Sequence, residues 1–221
     1  VSDVPATFEP DALYVGIASA HNIAINEDSG TAYALGASMG AETCGGGLHM
    51  IDINEPTNPM FVGCFQDSTT GRAGTGYTHD AMCIIYQGPD TEHVGKEICF
   101  GSNETALSIA DVTDKDNPAS LSSASYPNAA YAHQGWITED HRYFFMNDEL
   151  DEGAAERGGP PAMEGTRTLI WDVSDLEDPI LAREHFGETL TTDHNLYIKG
   201  NLMYQSNYVS GLRILNISDP V

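Results

Sequence analysis

The stretch Asp193-His194-Asn195-Leu196-Tyr197 decides the fold, because it occurs in altered form three more times: Ala20-His21-Asn22-Ile23, Thr78-His79-Asp80-Ala81 and Ala132-His133-Gln134-Gly135. In each copy a histidine is followed at once by a carboxylate or amide side chain, and the histidines recur at spacings of 58, 54 and 61 residues. A second signature keeps the same time. Asp52-Ile53-Asn54-Glu55, Asp111-Val112-Thr113-Asp114 and Asp172-Val173-Ser174-Asp175 are each followed, seven places after the first Asp, by Pro59, Pro118 and Pro179. Asn216-Ile217-Ser218-Asp219 begins a fourth copy. Repetition at this period marks a repeat architecture.

Between the signatures the chain reads as short strands broken by Asn, Asp, Gly and Pro, an all-β pattern. The first repeat predicts strands over His21 to Asn26, Thr31 to Gly36, Leu48 to Ile53 and Phe61 to Phe65. The second predicts His79 to Tyr86, Glu97 to Gly101, Leu107 to Val112 and Ser120 to Tyr126. The third predicts His133 to Thr138, Tyr143 to Asn147, Thr168 to Val173 and Ile180 to His185. A partial fourth has only three, His194 to Lys199, Leu202 to Asn207 and Leu212 to Ile217. Leu107 and Ile109 alternate with Ala110 and Val112, so that strand is apolar on both faces and must be covered on both. Four-stranded antiparallel units stacked face to face are the blades of a β-propeller. Residues 1–221 are therefore expected to form one propeller domain. Its blades fall at about 21–65, 79–126 and 133–186, with a partial one at about 194–217. The lone strand Ala12 to Ile17 is expected to belong to a preceding blade or to close a ring of four. The missing start methionine and the stop in mid-repeat suggest a mature piece of something longer. Asp148 to Gly165, acidic and rich in Gly and Pro, is expected to be an exposed loop.

Nine basic residues against 33 acidic ones give a formal charge of −24, which repels nucleic-acid phosphates and anionic membrane surfaces. Such a surface serves solubility, a saline medium or cation binding. No run of about 18 apolar residues exists to span a membrane. Four cysteines, none in a CxxC, sit where adjacent strands can bridge them, which predicts Cys44–Cys64 and Cys83–Cys99 disulfides and an oxidising, extracytoplasmic compartment.

First strands line the axis of a propeller, so His21, His79, His133 and His194 should converge there. Imidazole suits zinc, copper or iron, and carboxylates admit harder ions. Asp80 and Asp193 are candidate ligands or groups orienting the imidazoles. The residues after each histidine are expected to bond within their own blade. The competing reading is a water-filled channel lined by strand-capping histidines. Second-strand ends, expected at the opposite mouth, offer Asn103, Glu104, Asp148, Glu149 and Asn207 as weaker candidates for calcium. His93 and His141 fall in polar turns and are expected to be solvated. Gly45-Gly46-Gly47 lacks the Lys-Ser/Thr of a phosphate loop, and neither a nucleophile elbow nor HExxH occurs.

Taken together, Ser19-Ala20-His21-Asn22-Ile23, Gly46-Gly47-Leu48-His49-Met50-Ile51-Asp52-Ile53, Thr78-His79-Asp80, His133-Gln134-Gly135-Trp136 and Asp193-His194-Asn195-Leu196-Tyr197 resemble the choice-of-anchor B proteins with LVIVD-type repeats. The resemblance runs from Asp11 onward and implies a secreted or surface-attached bacterial propeller, a longer chain with further repeat strands, and so a ring larger than four blades. Three functions follow as expectations. The first is a cell-surface propeller that binds a divalent metal or ligand on its axis and presents loops to a protein or glycan partner. The second is a metal-dependent oxidase or hydrolase using the histidines. The third is a structural subunit of a surface assembly.

Overall fold

Leu107, Ile109, Ala110 and Val112 are all buried, as a strand covered on both faces requires. The cover is supplied by sheets on either side. The computed structural model describes residues 11–153 and 163–221, and the strands among them form four antiparallel sheets set one after another about a common axis, a four-blade β-propeller. After β1 (Ile17–Ser19), the first blade consists of β2 (Asn22–Asn26), β3 (Thr31–Leu35), β5 (Leu48–Asp52) and β6 (Met60–Phe65). The short β4 (Met39–Gly40) lies between β3 and β5 in sequence and pairs with β1. The second blade is β7 (Asp80–Ile85), β8 (Glu97–Ser102), β9 (Leu107–Asp111) and β10 (Ala119–Ala124). The third is β11 (Ala132–Ile137), β12 (Tyr143–Asp148), β13 (Arg167–Asp172) and β14 (Ile180–Phe186). The fourth has β15 (Asn195–Lys199), β16 (Leu202–Asn207) and β17 (Gly211–Asn216).

Apolar side chains from facing sheets fill the spaces between blades. Tyr33, Leu35 and Met50 of the first blade meet Cys83, Cys99 and Ala110 of the second. Phe100 of the second stacks on Phe144 of the third with ring centroids 5.3 Å apart. Phe145 and Ile170 of the third meet Leu196 and Met203 of the fourth. Burying a side chain such as Phe144 contributes roughly 1.5–3 kcal/mol. The outer faces of the end blades lack such cover among the described residues: Ile23 and Ile25 are 59% and 52% exposed, and Leu212 and Ile214 63% and 57%.

The repeated Asp signature is a turn device. The Oδ1 atoms of Asp52, Asp111 and Asp172 accept the backbone N–H of Asn54, Thr113 and Ser174 at 2.9, 3.0 and 3.0 Å, and Asn216 does the same for Ser218 at 3.0 Å. Both disulfides form as expected, Cys44–Cys64 and Cys83–Cys99. They fit an extracellular or otherwise oxidising environment. No helix among the described residues is long and apolar enough to cross a membrane.

Three expectations fail. Residues 12–16 are not a strand: only Ile17–Ser19 is, and it pairs with β4, while Tyr14 and Ile17 pack on Ala32, Ala34 and Ile51 of the first blade rather than completing the fourth. The acidic stretch after β12 does not simply project into solvent. Residues 154–162 lie outside the described residues, but Asp148 and Asp151 are wholly buried, because Arg167 supplies a guanidinium between them. His93 is buried too, its Nε2 2.7 Å from Glu177 Oε1, since the neighbouring blade covers its turn.

Candidate functional site

Each repeat histidine stands at the start of the innermost strand: His21, His79 and His194 directly precede β2, β7 and β15, and His133 is the second residue of β11. Those strands lie side by side, so the rings follow one another as a column. Centroids of His21–His79, His79–His133 and His133–His194 are 3.9, 4.3 and 4.6 Å apart, with adjacent planes tilted by 42–43°. Convergence was the expectation; a row is the outcome. Ligands of one transition ion sit about 2 Å from it, and a row of four rings cannot all reach one point.

The two middle rings are buried and the end ones are open to solvent. Burial, reinforced by the neighbouring imidazoles, lowers His79 to about 4 and His133 to about 3. Both are neutral at pH 7, the form that binds metals. His79 Nδ1–H donates to the His133 carbonyl oxygen at 3.0 Å, which leaves its Nε2 lone pair free. The His194 carbonyl lies near His133 Nδ1 without closing a hydrogen bond, so that nitrogen is buried with no partner among the described residues.

Glu149 completes the site. Its carboxylate lies 3.5 Å from His133 Nε2 and 3.9 Å from His194 Nε2, and Tyr208 Oη–H donates to Oε1 at 2.7 Å. One ligand atom from each of His133, Glu149 and His194 falls within 4.8 Å of the others. Glu149 was expected at the far mouth of the channel. An antiparallel hairpin instead returns the end of β12 to the start of β11, with Ala132 opposite Asp148, so the carboxylate arrives beside the histidines.

The other candidates divide. Asp80 accepts the Asn22 amide at 2.7 Å and the Ala81 N–H at 2.7 Å, and burial raises it to about 6. It therefore bridges two blades and joins no metal-ligand group among the described residues. Gln134 likewise exchanges hydrogen bonds with the backbone of Leu196 at 3.0 and 2.8 Å. The expectation of bonding within one blade fails for both, because residues after the histidines face the adjacent first strand. With Trp136 and Tyr197 they line a cleft of about 430 Å³ along the innermost strands. Asn103 donates to Thr70 Oγ1 at 2.8 Å and Glu104 accepts the Arg72 N–H at 2.8 Å, which ties down the loop before β7. Asp148 accepts Tyr126 Oη–H and three backbone N–H groups. Asp193 is fully buried and joins no metal-ligand group among the described residues, and Asn207, nearly as buried, donates to Gln205 Oε1 at 3.2 Å.

Sequence reasoning passed over the aromatic flank. Tyr131 meets His79 edge-on at 5.1 Å, Tyr208 meets His194 at 5.2 Å and Tyr77 lies 6.4 Å from His79. A signal existed: tyrosine stands two places before the histidine in Tyr77-Thr78-His79 and in Tyr131-Ala132-His133.

No family model and no curated protein matches the chain. Among solved structures it is similar to a protein from Lactobacillus plantarum, with TM-score 0.58 and 13% identity over 90% of this chain and 53% of that one. It is also similar to a putative 6-phosphogluconolactonase from Bacteroides uniformis, with TM-score 0.51 and 13% identity over 93% and 55%. A periplasmic gluconolactonase from Pseudomonas aeruginosa matches with TM-score 0.53 and 9% identity over 88% and 55%. At these identities the likeness is one of propeller fold. The chain spans about half the length of each of these three structures.

Proposed function

We propose that this is an extracytoplasmic β-propeller of the choice-of-anchor B type that binds a transition metal of the zinc, copper or iron class through His133, Glu149 and His194. The observation that carries the reading is the approach of two imidazole Nε2 atoms to one carboxylate, at 3.5 and 3.9 Å. Two nitrogens and an oxygen suit those ions. His79, next in the column, is a neutral imidazole within reach of the same region, and the cleft beside the first strands offers room for a ligand or for a loop or glycan of a surface partner. Binding is favoured over chemistry because the Tyr208 hydroxyl beside the site is donated to Glu149 and so orients that carboxylate as a ligand.

Metal content of the purified protein tests this. The expected result is about one equivalent of zinc, copper or iron per chain, lost in His133→Ala with His194→Ala and reduced at least about tenfold in affinity in Glu149→Gln. Protein loaded with each metal in turn and then dialysed to no bound ion would remove the proposal.

A metal-dependent hydrolase is the second reading. Three protein ligands leave a coordination position where water can be activated. Two of the structures similar in fold carry lactonase names, so sugar lactones are the first substrates to assay. Metal-dependent turnover that disappears with Glu149→Gln would favour it, and its absence with metal bound would leave the binding role.

A further inference from the structure

The cleft of about 430 Å³ along the innermost strands has a chemistry of its own. Three carboxylates line it, Asp80, Glu27 and Asp28, and no lysine, arginine or histidine does so among the described residues. Its amides are already taken. Asn22 donates to Asp80 Oδ2 at 2.7 Å and accepts the Ile23 N–H at 2.8 Å, Asn26 donates to Glu97 at 2.7 Å and accepts the Asp28 N–H at 3.2 Å, and Gln134 is bonded to the Leu196 and Gly135 backbone. What remains for a ligand is chiefly acceptor and negative charge. A neutral sugar needs donors as well as acceptors and is poorly matched; a ligand whose N–H donors carry positive charge is well matched.

Asp80 has capacity to spare. Its carboxylate accepts one N–H on each oxygen, from Asn22 and Ala81, where an ionised carboxylate can take about four. It is half-buried with no cation beside it in the cleft, and burial raises it accordingly to about 6. The third and fourth blades contribute Trp136 and Tyr197 to the lining. Both stand three places after their repeat histidine, where the first two blades have Ala24 and Met82. Their rings meet edge to face with centroids 5.1 Å apart, and Tyr197 is half exposed. Aromatic faces set at an angle attract an alkylammonium group.

The carboxylates lie toward opposite ends. Asp80 is tied to Asn22, the first residue of β2, whereas Glu27 and Asp28 follow Asn26, its last. Five strand residues span about 13 Å. Between the ends the lining is apolar, with Ala24 and Ile25 of β2 and Met82 and Ile84 of β7. A single small cation would leave that length empty. An aliphatic chain with an ammonium at each end would fill it, methylenes against the apolar wall and charges at the carboxylates.

We propose that this cleft binds a linear aliphatic polyamine, with one ammonium at Asp80, another at Glu27 and Asp28, and the aromatic pair flanking the chain between them. The site does not depend on the metal, since none of His133, Glu149 and His194 lines the cleft.

Isothermal titration calorimetry of the metal-free protein with spermidine, a linear triamine, tests this at low ionic strength, because salt screens exposed charges. One saturable equivalent per chain is expected. Asp80→Asn keeps an oxygen for the Ala81 N–H but removes the charge, and should weaken binding by about tenfold or more. Trp136→Leu leaves the net charge unchanged and should weaken it by about fivefold. Tyr197→Leu makes the same test at a half-exposed position, so a weakened site is not a disturbed core. Butylamine, with one ammonium, should bind about tenfold more weakly than spermidine. Asp116→Asn, an exposed carboxylate outside the cleft, and His133→Ala with His194→Ala should bind spermidine as the wild type does. Absence of saturable binding would overturn the proposal. Butylamine binding as tightly as spermidine would overturn it in favour of a single ammonium, such as that of a partner's lysine. Equal weakening by Asp116→Asn and Asp80→Asn, with both aromatic variants unchanged, would reduce the effect to diffuse attraction by an acidic surface.

Discussion

His79 is one of two buried imidazoles, with His133, that set the acid stability of the histidine column. The ring is buried, and burial together with the His21 and His194 imidazoles lowers it to about 4 despite its bond to the His133 carbonyl and the nearby Glu149 carboxylate. An unfolded histidine titrates near 6.5. Below that pH the unfolded chain takes up a proton at residue 79 that the folded chain refuses. The stabilisation is therefore complete above pH 6.5 and is lost as pH falls toward about 4. One proton of difference costs roughly 1.4 kcal/mol for each pH unit inside that window. Asp80 works in the other direction, since its folded value is raised to about 6 and the folded chain binds its proton first as pH falls. A single acid titration of the wild type mixes the two. The clean comparison is His79→Gln against wild type, both stripped of metal, with urea unfolding followed by tryptophan fluorescence from about pH 7 to about pH 4.5. Asp80 contributes to both and cancels. The wild type should lose stability more steeply by about one proton's worth per pH unit, and the two lines should run parallel above about pH 7. Equal slopes throughout, or an NMR titration of His79 near its ordinary value, would refute the reasoning.

Arg167→Met leaves the buried carboxylates without their guanidinium. The expected loss is about 3–5 kcal/mol, read from denaturant midpoints. Gly135→Ala would bring a methyl group to 2.4 Å from the Phe144 ring and 2.5 Å from the Phe145 carbonyl oxygen, so sheet and ring must shift. Such overpacking costs roughly 1–3 kcal/mol and should lower Tm by several degrees in calorimetry. Cys83→Ala with Cys99→Ala opens a bridge across a sequence separation of 16 and should destabilise by about 3 kcal/mol in urea unfolding. Reductant should lower the stability of the double variant by less than that of the wild type, since only Cys44–Cys64 is left to reduce in the variant.

The blades were legible because their determinants are local and repeated. Asp52, Asp111 and Asp172 bond a backbone N–H two residues on, a contact that needs no knowledge of tertiary structure. The alternating Leu107, Ile109, Ala110 and Val112 already demand cover on both faces. Cys83 and Cys99 follow once the first two strands are set in register, for they stand directly opposite. His93 was misread because its burial comes from Glu177, 84 positions away on the next blade, and polarity of the local turn carries no trace of that partner.

The site was half legible for the same reason, and its two halves show where one-dimensional reading stops. Periodicity delivers the four histidines, because each occupies the same place in its repeat. It cannot deliver Glu149, which has no counterpart at Asn103-Glu104 or Asn207-Tyr208 that faces the column in the same way: Glu104 accepts the Arg72 N–H, and at the third position stands Tyr208, donating to Glu149 itself. A repeat can lay a row of imidazoles along an axis, but a row offers no preferred point for an ion. The proposed point lies at the blade whose second strand leads into Glu149, beside His133 and His194. The acidic stretch that supplies it is also the stretch whose charge suggested simple hydration. Arg167, 16 positions beyond Asp151, is what draws that stretch into the protein. In the metal-binding reading proposed above, the departure from the repeat, rather than the repeat, therefore carries the specificity for the ion.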